Sequence, residues 1–181
     1  MYLDEAVIAI SRFDDPVAWM YLDRQGFVCI GAHQRILQPE VAASLPFQRW
    51  TAATATREEI KNEFERVKQM RVGYLPSAYR RSDSLLLPKT AICKILRESL
   101  VACAVTLSAS FPDFDSFPDS VKVALLDICY DTGLSQMSEE MIDAVRKQNW
   151  AAAAWACRRE NVTRERNLWA KQQFQEVPVT V

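Results

Sequence analysis

Two aspartates nine residues apart, Asp14 and Asp23, are the residues best suited to chemistry in this sequence. Asp14 continues the apolar stripe of Val7 and Ile10 at the end of an amphipathic segment. Burial and the negative end of a helix dipole both favour the protonated carboxyl that a general acid needs. Asp23 falls in a predicted hairpin turn. Two acids on opposite sides of a sugar chain suit glycoside hydrolysis, in which one protonates the leaving oxygen and the other activates water.

Each aspartate also has a structural explanation. An acid at a helix end often bonds a nearby arginine, here Arg12, and aspartate is favoured in turns because it bonds its own backbone. A thiol nucleophile with an imidazole base, Cys29 with His33, is a further alternative. Four residues of extended strand separate these side chains by roughly 13 Å, however. No third residue that would orient the base is evident.

The elements that position these residues follow from hydrophobic spacing. Residues 2–14 have one apolar face and are predicted to form a helix, which Pro16 ends because it disfavours helical geometry in the preceding residue. Residues 19–31 are rich in aromatic and β-branched types around a glycine turn, which predicts a β-hairpin. A polar loop is expected from there through Pro46.

The rest of the chain reads as helical. Thr56 and Glu59 form a capping-box pattern that opens a helix, and the segment 73–88 is the expected boundary between two lobes. A long apolar helix is predicted over 89–109. Later helix ends carry residues typical of caps, namely Gly133, Ser138, Asn149 and Thr163. Three tryptophans could form a platform for sugar stacking, but at helical spacing they are predicted to lie in the core: Trp150, Trp155 and Trp169.

These patterns predict an α+β fold in a single domain over residues 1–181. A small lobe with the β-hairpin is expected over about residues 15–75. A larger helical lobe is expected to combine residues 1–14 with residues 76–181. A chain of this length is long enough for one good core shared by two lobes.

Composition excludes several function classes. The formal charge of −1 leaves no basic stripe for a nucleic acid. A single histidine and five scattered cysteines, none in a CxxC pair, offer no zinc cluster, so no metal and no cofactor is expected. The cysteines are interpreted as small buried residues of a reducing compartment.

No apolar run approaches the roughly 20 residues needed to span a bilayer, so membrane insertion is not expected. The opening residues include Asp4 and Glu5 where a signal peptide would have basic residues. The expectation is therefore synthesis in the cytoplasm without a signal peptide. Any delivery to the periplasm would need secretion machinery or phage lysis.

Tyr21, Asp23, Gly26 and Gly31 form a spaced pattern through the predicted hairpin. Aligned on these four residues, the first part of the chain resembles phage-type lysozymes, of the kind grouped in glycoside hydrolase family 24, and pesticin-like toxin domains. The resemblance places the family's catalytic glutamate on Asp14 and its second acid on Asp23. The water-binding threonine falls on Cys29, and a glycine-histidine pair falls on His33 and Gln34.

The C-terminal half also resembles this family. Residues 124–133 resemble a helix of the family that ends in a short motif closed by a glycine, here Gly133. Asp131 lies where asparagine or glutamine is usual in that motif. Residues 163–167 match one of the closing helices. An arginine at the position of Arg166 pairs with the catalytic acid in the family. The implied fold is lysozyme-like, with the hairpin and the C-terminal half together lining a glycan cleft.

The positions that depart from the family pattern are those expected to carry out hydrolysis. Asp14 is one methylene shorter than glutamate, and a misplacement of about 1 Å can cost on the order of 10²-fold in rate. Cys29 holds water less well than a threonine hydroxyl does. An added charge on Asp131 would repel a second carboxylate.

The sequence therefore predicts a lysozyme-fold protein with weak or lost muramidase activity. It would bind peptidoglycan glycan strands or a protein partner, as an adaptor, an inhibitor or a component of a secretion system or phage. The alternative is an active muramidase, an endolysin or antibacterial effector, with Asp14 as acid and Asp23 as base.

Overall fold

The computed structural model describes residues 2–160 and 162–177. The chain divides into two compact units. Residues 14–96 form the sheet unit, and residues up to 13 together with those from 97 onward form the helical unit. The described residues contain eight α-helices and one three-stranded antiparallel sheet, which confirms the α+β class. The lysozyme-like assignment within that class stays a prediction.

The sheet has the strand order β1-β2-β3, with β1 at Val17–Leu22, β2 at Val28–Gly31 and β3 at Gln34–Ile36. Both strand pairs are antiparallel, and a register irregularity interrupts the first. The third strand was not expected, because the sequence predicted a polar loop there. Ile36 is buried in the core while Arg35 points to solvent, and three such residues are too few to give a strand pattern.

Two helices follow the sheet, α2 at Pro39–Ala42 and α3 at Arg57–Lys68. The predicted capping box at the start of α3 is confirmed. The Thr56 Oγ1 accepts the Glu59 amide at 3.2 Å, and the Glu59 Oε2 accepts the Thr56 amide at 2.7 Å. Arg49 adds two hydrogen bonds to the same carboxylate, at 2.9 and 2.8 Å. The bond from Arg49, followed by those from Thr56, lowers the pKa of Glu59 to about 2.

The segment after α3 is built into the sheet unit. It contains a 3₁₀ turn at Pro76–Tyr79, and Arg66 donates to the Tyr79 carbonyl at 2.9 Å. The Trp19 indole donates to the Pro76 carbonyl at 2.8 Å, and Leu87 is buried in the core of this unit. The units therefore divide beyond this segment, between residues 96 and 97, whereas the sequence placed a boundary at 73–88.

The helical unit begins with α1 at Tyr2–Phe13 and continues from within α4 at Lys89–Ser110. Its remaining helices are α5 at Asp119–Thr132, α6 at Glu139–Arg146, α7 at Trp150–Ala156 and α8 at Arg164–Gln175. The caps follow the prediction: Gly133 ends α5 with φ 79°, and side chains cap the next three helices, namely Ser138, Asn149 and Thr163. Helix α5 is central, since it is buried continuously from residue 121 to 129 and packs on α1 and α8.

The prediction that all three tryptophans lie in the core was wrong for Trp155, which is 74% exposed. Ala153 and Ala154 occupy the buried face of α7, which leaves the indole outside. The Lys171 ammonium lies 3.3 Å from the Trp155 ring centroid. Trp150 and Trp169 are half-buried and pack against phenylalanine rings.

Candidate functional site

The turn between β1 and β2 fixes Asp23 through backbone hydrogen bonds. The Asp23 amide donates to the Phe27 carbonyl at 3.0 Å, and Gly26 completes the turn with φ 80°. The Asp23 Oδ1 accepts the amides of Gln25 and Phe27, both at 2.9 Å. A carboxylate that bonds its own turn is the structural role that the sequence offered as an alternative for this residue.

The second oxygen of Asp23 is bound by Arg35, which β3 brings across from the neighbouring strand. The Arg35 Nε lies 2.8 Å from the Asp23 Oδ2, and its Nη2 donates to the Gln25 side chain at 3.0 Å. The guanidinium also stacks over the Phe27 ring, 4.6 Å from its centroid. An ionised carboxylate accepts at about four positions. Three donors already occupy Asp23, whose side chain is only 13% exposed.

Asp14 follows directly after α1 in the chain, and its side chain is 15% exposed. Its Oδ1 lies 3.8 Å from the Nδ1 of His33. This separation is too long for a hydrogen bond but close enough for electrostatic attraction when the imidazole is protonated. The His33 ring meets the Tyr21 ring edge-on, with centroids 6.0 Å apart. His33 therefore stands beside Asp14 and is itself positioned by an aromatic neighbour.

The backbone of His33 is in the left-handed region, with φ 63°. This conformation costs an L-residue roughly 1–2 kcal/mol and is readily adopted by glycine. The resemblance to phage-type lysozymes places a glycine at this position. The chain thus carries an exposed imidazole where a glycine would be unstrained.

Cys29 lies on β2, opposite Tyr21 on one side and Arg35 on the other. Burial, followed by the negative charge of Asp23, raises the pKa of Cys29 to about 12. The thiol is 1% exposed and stays protonated near neutral pH. Cys29 is therefore a poor nucleophile, and as a weak hydrogen-bonding group it is a poor substitute for a water-binding hydroxyl.

Gln34, the other member of the His33-Gln34 pair, lies at the start of β3. It pairs with Ile30 in the antiparallel register and is half-buried. The sheet unit thus brings together five of the seven residues that the sequence singled out, and the hairpin that links β2 to β3 carries three of them.

The other two, Arg166 and Asp131, lie in the helical unit. Arg166 donates from Nε and Nη2 to the Oδ1 of Asp127, at 2.9 and 2.7 Å. Arg159 donates to the Oδ2 of Asp127 at 2.5 Å and to Asp131 at 3.0 Å. The sequence predicted that the negative charge of Asp131 would repel a second carboxylate, and in the structure the guanidinium of Arg159 pairs with this charge.

Sequence reasoning missed Asp127 and Arg159, although both are buried. Their pairing joins residues 32 positions apart, which no local pattern reports. A signal was available nevertheless: Asp127 interrupts an otherwise apolar stretch of α5, and a buried acid needs a charged partner.

Among the described residues, no group of three or more histidine, cysteine, aspartate or glutamate side chains is placed to hold a metal ion. None of the described helices is both long and apolar enough to cross a membrane. Comparisons of this chain with models of protein families, with curated proteins and with solved structures found no match.

Proposed function

We propose that this chain is a lysozyme-like protein that binds peptidoglycan glycan strands and whose muramidase activity is weak or lost. The observation that supports this most is that one β-hairpin supplies a partner to both candidate acids. His33 stands 3.8 Å from Asp14, and Arg35 binds Asp23 at 2.8 Å. A site selected for hydrolysis needs both carboxyl groups available to the substrate and to water.

The acid step is weakened at Asp14. A general acid must approach within roughly 2.6–3.2 Å of the oxygen that it protonates. Aspartate is one methylene shorter than the glutamate of the resembling family, and the imidazole of His33 lies next to its carboxyl.

The base step is weakened at Asp23. Three donors bind its two oxygens, so about one acceptor position is left for a water molecule. The neighbouring Cys29 is a protonated, buried thiol rather than a hydroxyl that could orient that water. Recognition of a glycan needs neither step.

An active muramidase is the second candidate, and two observations favour it. The contact between Asp14 and His33 is longer than a hydrogen bond, so a substrate can displace the imidazole at little cost. Asp23 also keeps one acceptor position, which a nucleophilic water would need. In this case Asp14 acts as acid and Asp23 as base.

Co-sedimentation with purified, insoluble peptidoglycan tests the binding part of the proposal. The wild-type protein is expected in the pellet at low salt, and soluble glycan fragments should release it. Loss of sedimentation in a variant of the candidate site that still folds, Asp23→Asn with Arg35→Ala, would locate binding there. Absence of the wild-type protein from the pellet would contradict glycan binding and point to a protein partner from a secretion system or phage.

A further inference from the structure

An apolar tip, residues 71–75, projects from the sheet unit after α3. All residues of this segment are exposed, and three of them carry apolar side chains. Val72 is 45% exposed, Tyr74 is 51% exposed and Leu75 is 77% exposed. A Cβ added to Gly73 would meet no atom of the described residues within 4 Å apart from its chain neighbours. The tip is therefore surrounded by open space and does not lie in a groove.

The base of the tip is fixed by contacts within the sheet unit. The buried Tyr79 side chain donates from its hydroxyl to the Arg71 carbonyl at 3.0 Å. Its ring meets the Tyr74 ring edge-on, with centroids 6.4 Å apart. The Trp19 indole donates to the Pro76 carbonyl at 2.8 Å. Because the base is preformed, the tip loses little conformational entropy on binding, and its exposed side chains can contribute to affinity.

Basic side chains accompany the apolar tip. Residues 66–82 contain five lysines and arginines and no acidic residue, although the formal charge of the chain is −1. Arg66 pairs with Glu63. The other four are exposed and form no ion pair with any described residue, namely Lys68, Arg71, Arg80 and Arg81. Their positive charge is therefore available to a partner.

Contacts place cations beside the tip on both of its sides. The Lys68 ammonium donates to the Gly26 carbonyl at 2.7 Å. Val72 lies next to the same glycine, since a Cβ added to Gly26 would be 3.4 Å from the Val72 Cγ1. The Arg80 guanidinium lies 4.8 Å from the ring centroid of Trp19, which also bonds the base of the tip. The surface thus has an exposed apolar centre and a basic rim.

The combination of charge and apolar exposure distinguishes between partners. A nucleic acid would bind the cations through its phosphates and leave the apolar side chains in water. A peptide needs a groove or a free strand edge to lie along, and open space surrounds this tip. An anionic bilayer uses both features. Its headgroups attract lysine and arginine, and apolar and tyrosine side chains are favourable at the boundary between headgroups and acyl chains.

We infer that residues 68–81 form a loop that docks this chain reversibly on the surface of an anionic phospholipid bilayer. Val72, Tyr74 and Leu75 enter at the level of the headgroups, and the four cations face the lipid phosphates. The loop lies in the interface and does not span the bilayer. The inference is independent of the proposed glycan binding, because a phospholipid vesicle carries no glycan strand.

Co-sedimentation of the full chain with phospholipid vesicles tests the inference. Vesicles of equal parts phosphatidylglycerol and phosphatidylcholine are expected to pellet the wild-type protein at low salt. Vesicles of phosphatidylcholine alone should leave it in the supernatant. High salt should weaken binding to the anionic vesicles, because it screens the exposed cations.

Two variants separate the basic rim from the apolar tip. Arg71→Gln with Arg81→Gln removes two exposed cations, and the affinity for anionic vesicles should fall about fivefold for each charge, or about 25-fold in total. Leu75→Ser removes the most exposed side chain of the tip and should lower the affinity roughly tenfold. Circular dichroism verifies that each variant is folded.

Matched controls change the same residue types elsewhere. Arg146→Gln with Arg158→Gln alters the net charge equally in the helical unit, and Leu37→Ser removes a leucine that is 70% exposed after β3. Both controls should bind anionic vesicles as the wild type does. Absence of the wild-type protein from the anionic pellet would overturn the inference. So would undiminished binding by Leu75→Ser, since charge alone would then account for binding, as it does for any polyanion.

Discussion

Each unit contains an aspartate that forms ion pairs with arginine. In the sheet unit Asp23 pairs with Arg35, and in the helical unit Asp127 pairs with both Arg159 and Arg166. The Arg35 side chain is 46% exposed, whereas Asp127 is fully buried and its two arginines are nearly so. Water can solvate Arg35 if Asp23 is removed, but it cannot solvate the two buried guanidiniums if Asp127 is removed. Pairing with arginine is therefore expected to stabilise the fold in the helical unit, whereas in the sheet unit it occupies an oxygen of the Asp23 carboxylate at a small contribution to stability.

The largest expected effect is on stability at Asp127. Asp127→Asn removes the charge that two buried guanidiniums share, and the free energy of unfolding should fall by about 3–5 kcal/mol. Urea denaturation followed by circular dichroism measures this. Asp23→Asn is the control in the sheet unit and should cost about 1 kcal/mol or less, because its ion pair is partly exposed. Equal losses for the two variants would remove the distinction between the units.

A smaller effect is expected at the strained residue beside Asp14. His33 and Ala52 both have φ 63°, so glycine should relieve backbone strain at each. Ala52→Gly should raise the free energy of unfolding by roughly 0.5–1 kcal/mol. His33→Gly should gain less than Ala52→Gly, because it also removes the imidazole that lies 3.8 Å from the Asp14 carboxyl.

Urea denaturation of both variants under the same conditions measures the contribution of the imidazole to the free energy of unfolding. Equal gains for the two variants would show that the His33 imidazole does not interact with Asp14, which would contradict the proposed weakening of the acid step.

The smallest effect concerns the capping acid of α3. The pKa of Glu59 is lowered to about 2 in the folded chain, so its stabilising contribution is present above the ordinary glutamate value and is lost as the pH falls toward 2. The melting temperature of the wild type should therefore fall more steeply between pH 5 and pH 2.5 than that of Glu59→Gln. Glu58→Gln, at the adjacent exposed position, is the control and should follow the wild type.

Local hydrogen bonding explains what the sequence could predict. The capping box of Thr56 and the caps at Ser138 and Gly133 each involve residues within about one helical turn, so the residue types alone report them. The first helix and the first hairpin were predicted for the same reason, from spacing over a dozen residues. The short strand β3 carries too few residues to give such a pattern.

Long-range pairing explains what the sequence could not predict. The partner of Asp23 lies 12 residues away, and the partner of Asp127 lies 32 residues away on another helix. The position of Asp14 at the end of the first helix and of Asp23 in a hairpin turn was predicted from the residue pattern. The contacts of His33 with Asp14 and of Arg35 with Asp23 depend on the unpredicted strand β3 and the turn before it. The residue types therefore indicated which residues form the candidate site, and the structure gave the side chains that lie beside the two acids.

We propose that hydrolysis is weak because Asp14 is one methylene too short and because both acids already have a neighbouring side-chain partner. A turbidity assay on purified peptidoglycan tests it most directly. The wild-type protein should clear the suspension slowly or not at all. Asp14→Glu should raise the rate by restoring reach, Cys29→Thr should raise it further by providing a hydroxyl for the attacking water, and adding Asp23→Asn should abolish the gain. Robust clearing by the wild type would contradict the account, and so would the absence of clearing by a folded Asp14→Glu/Cys29→Thr variant.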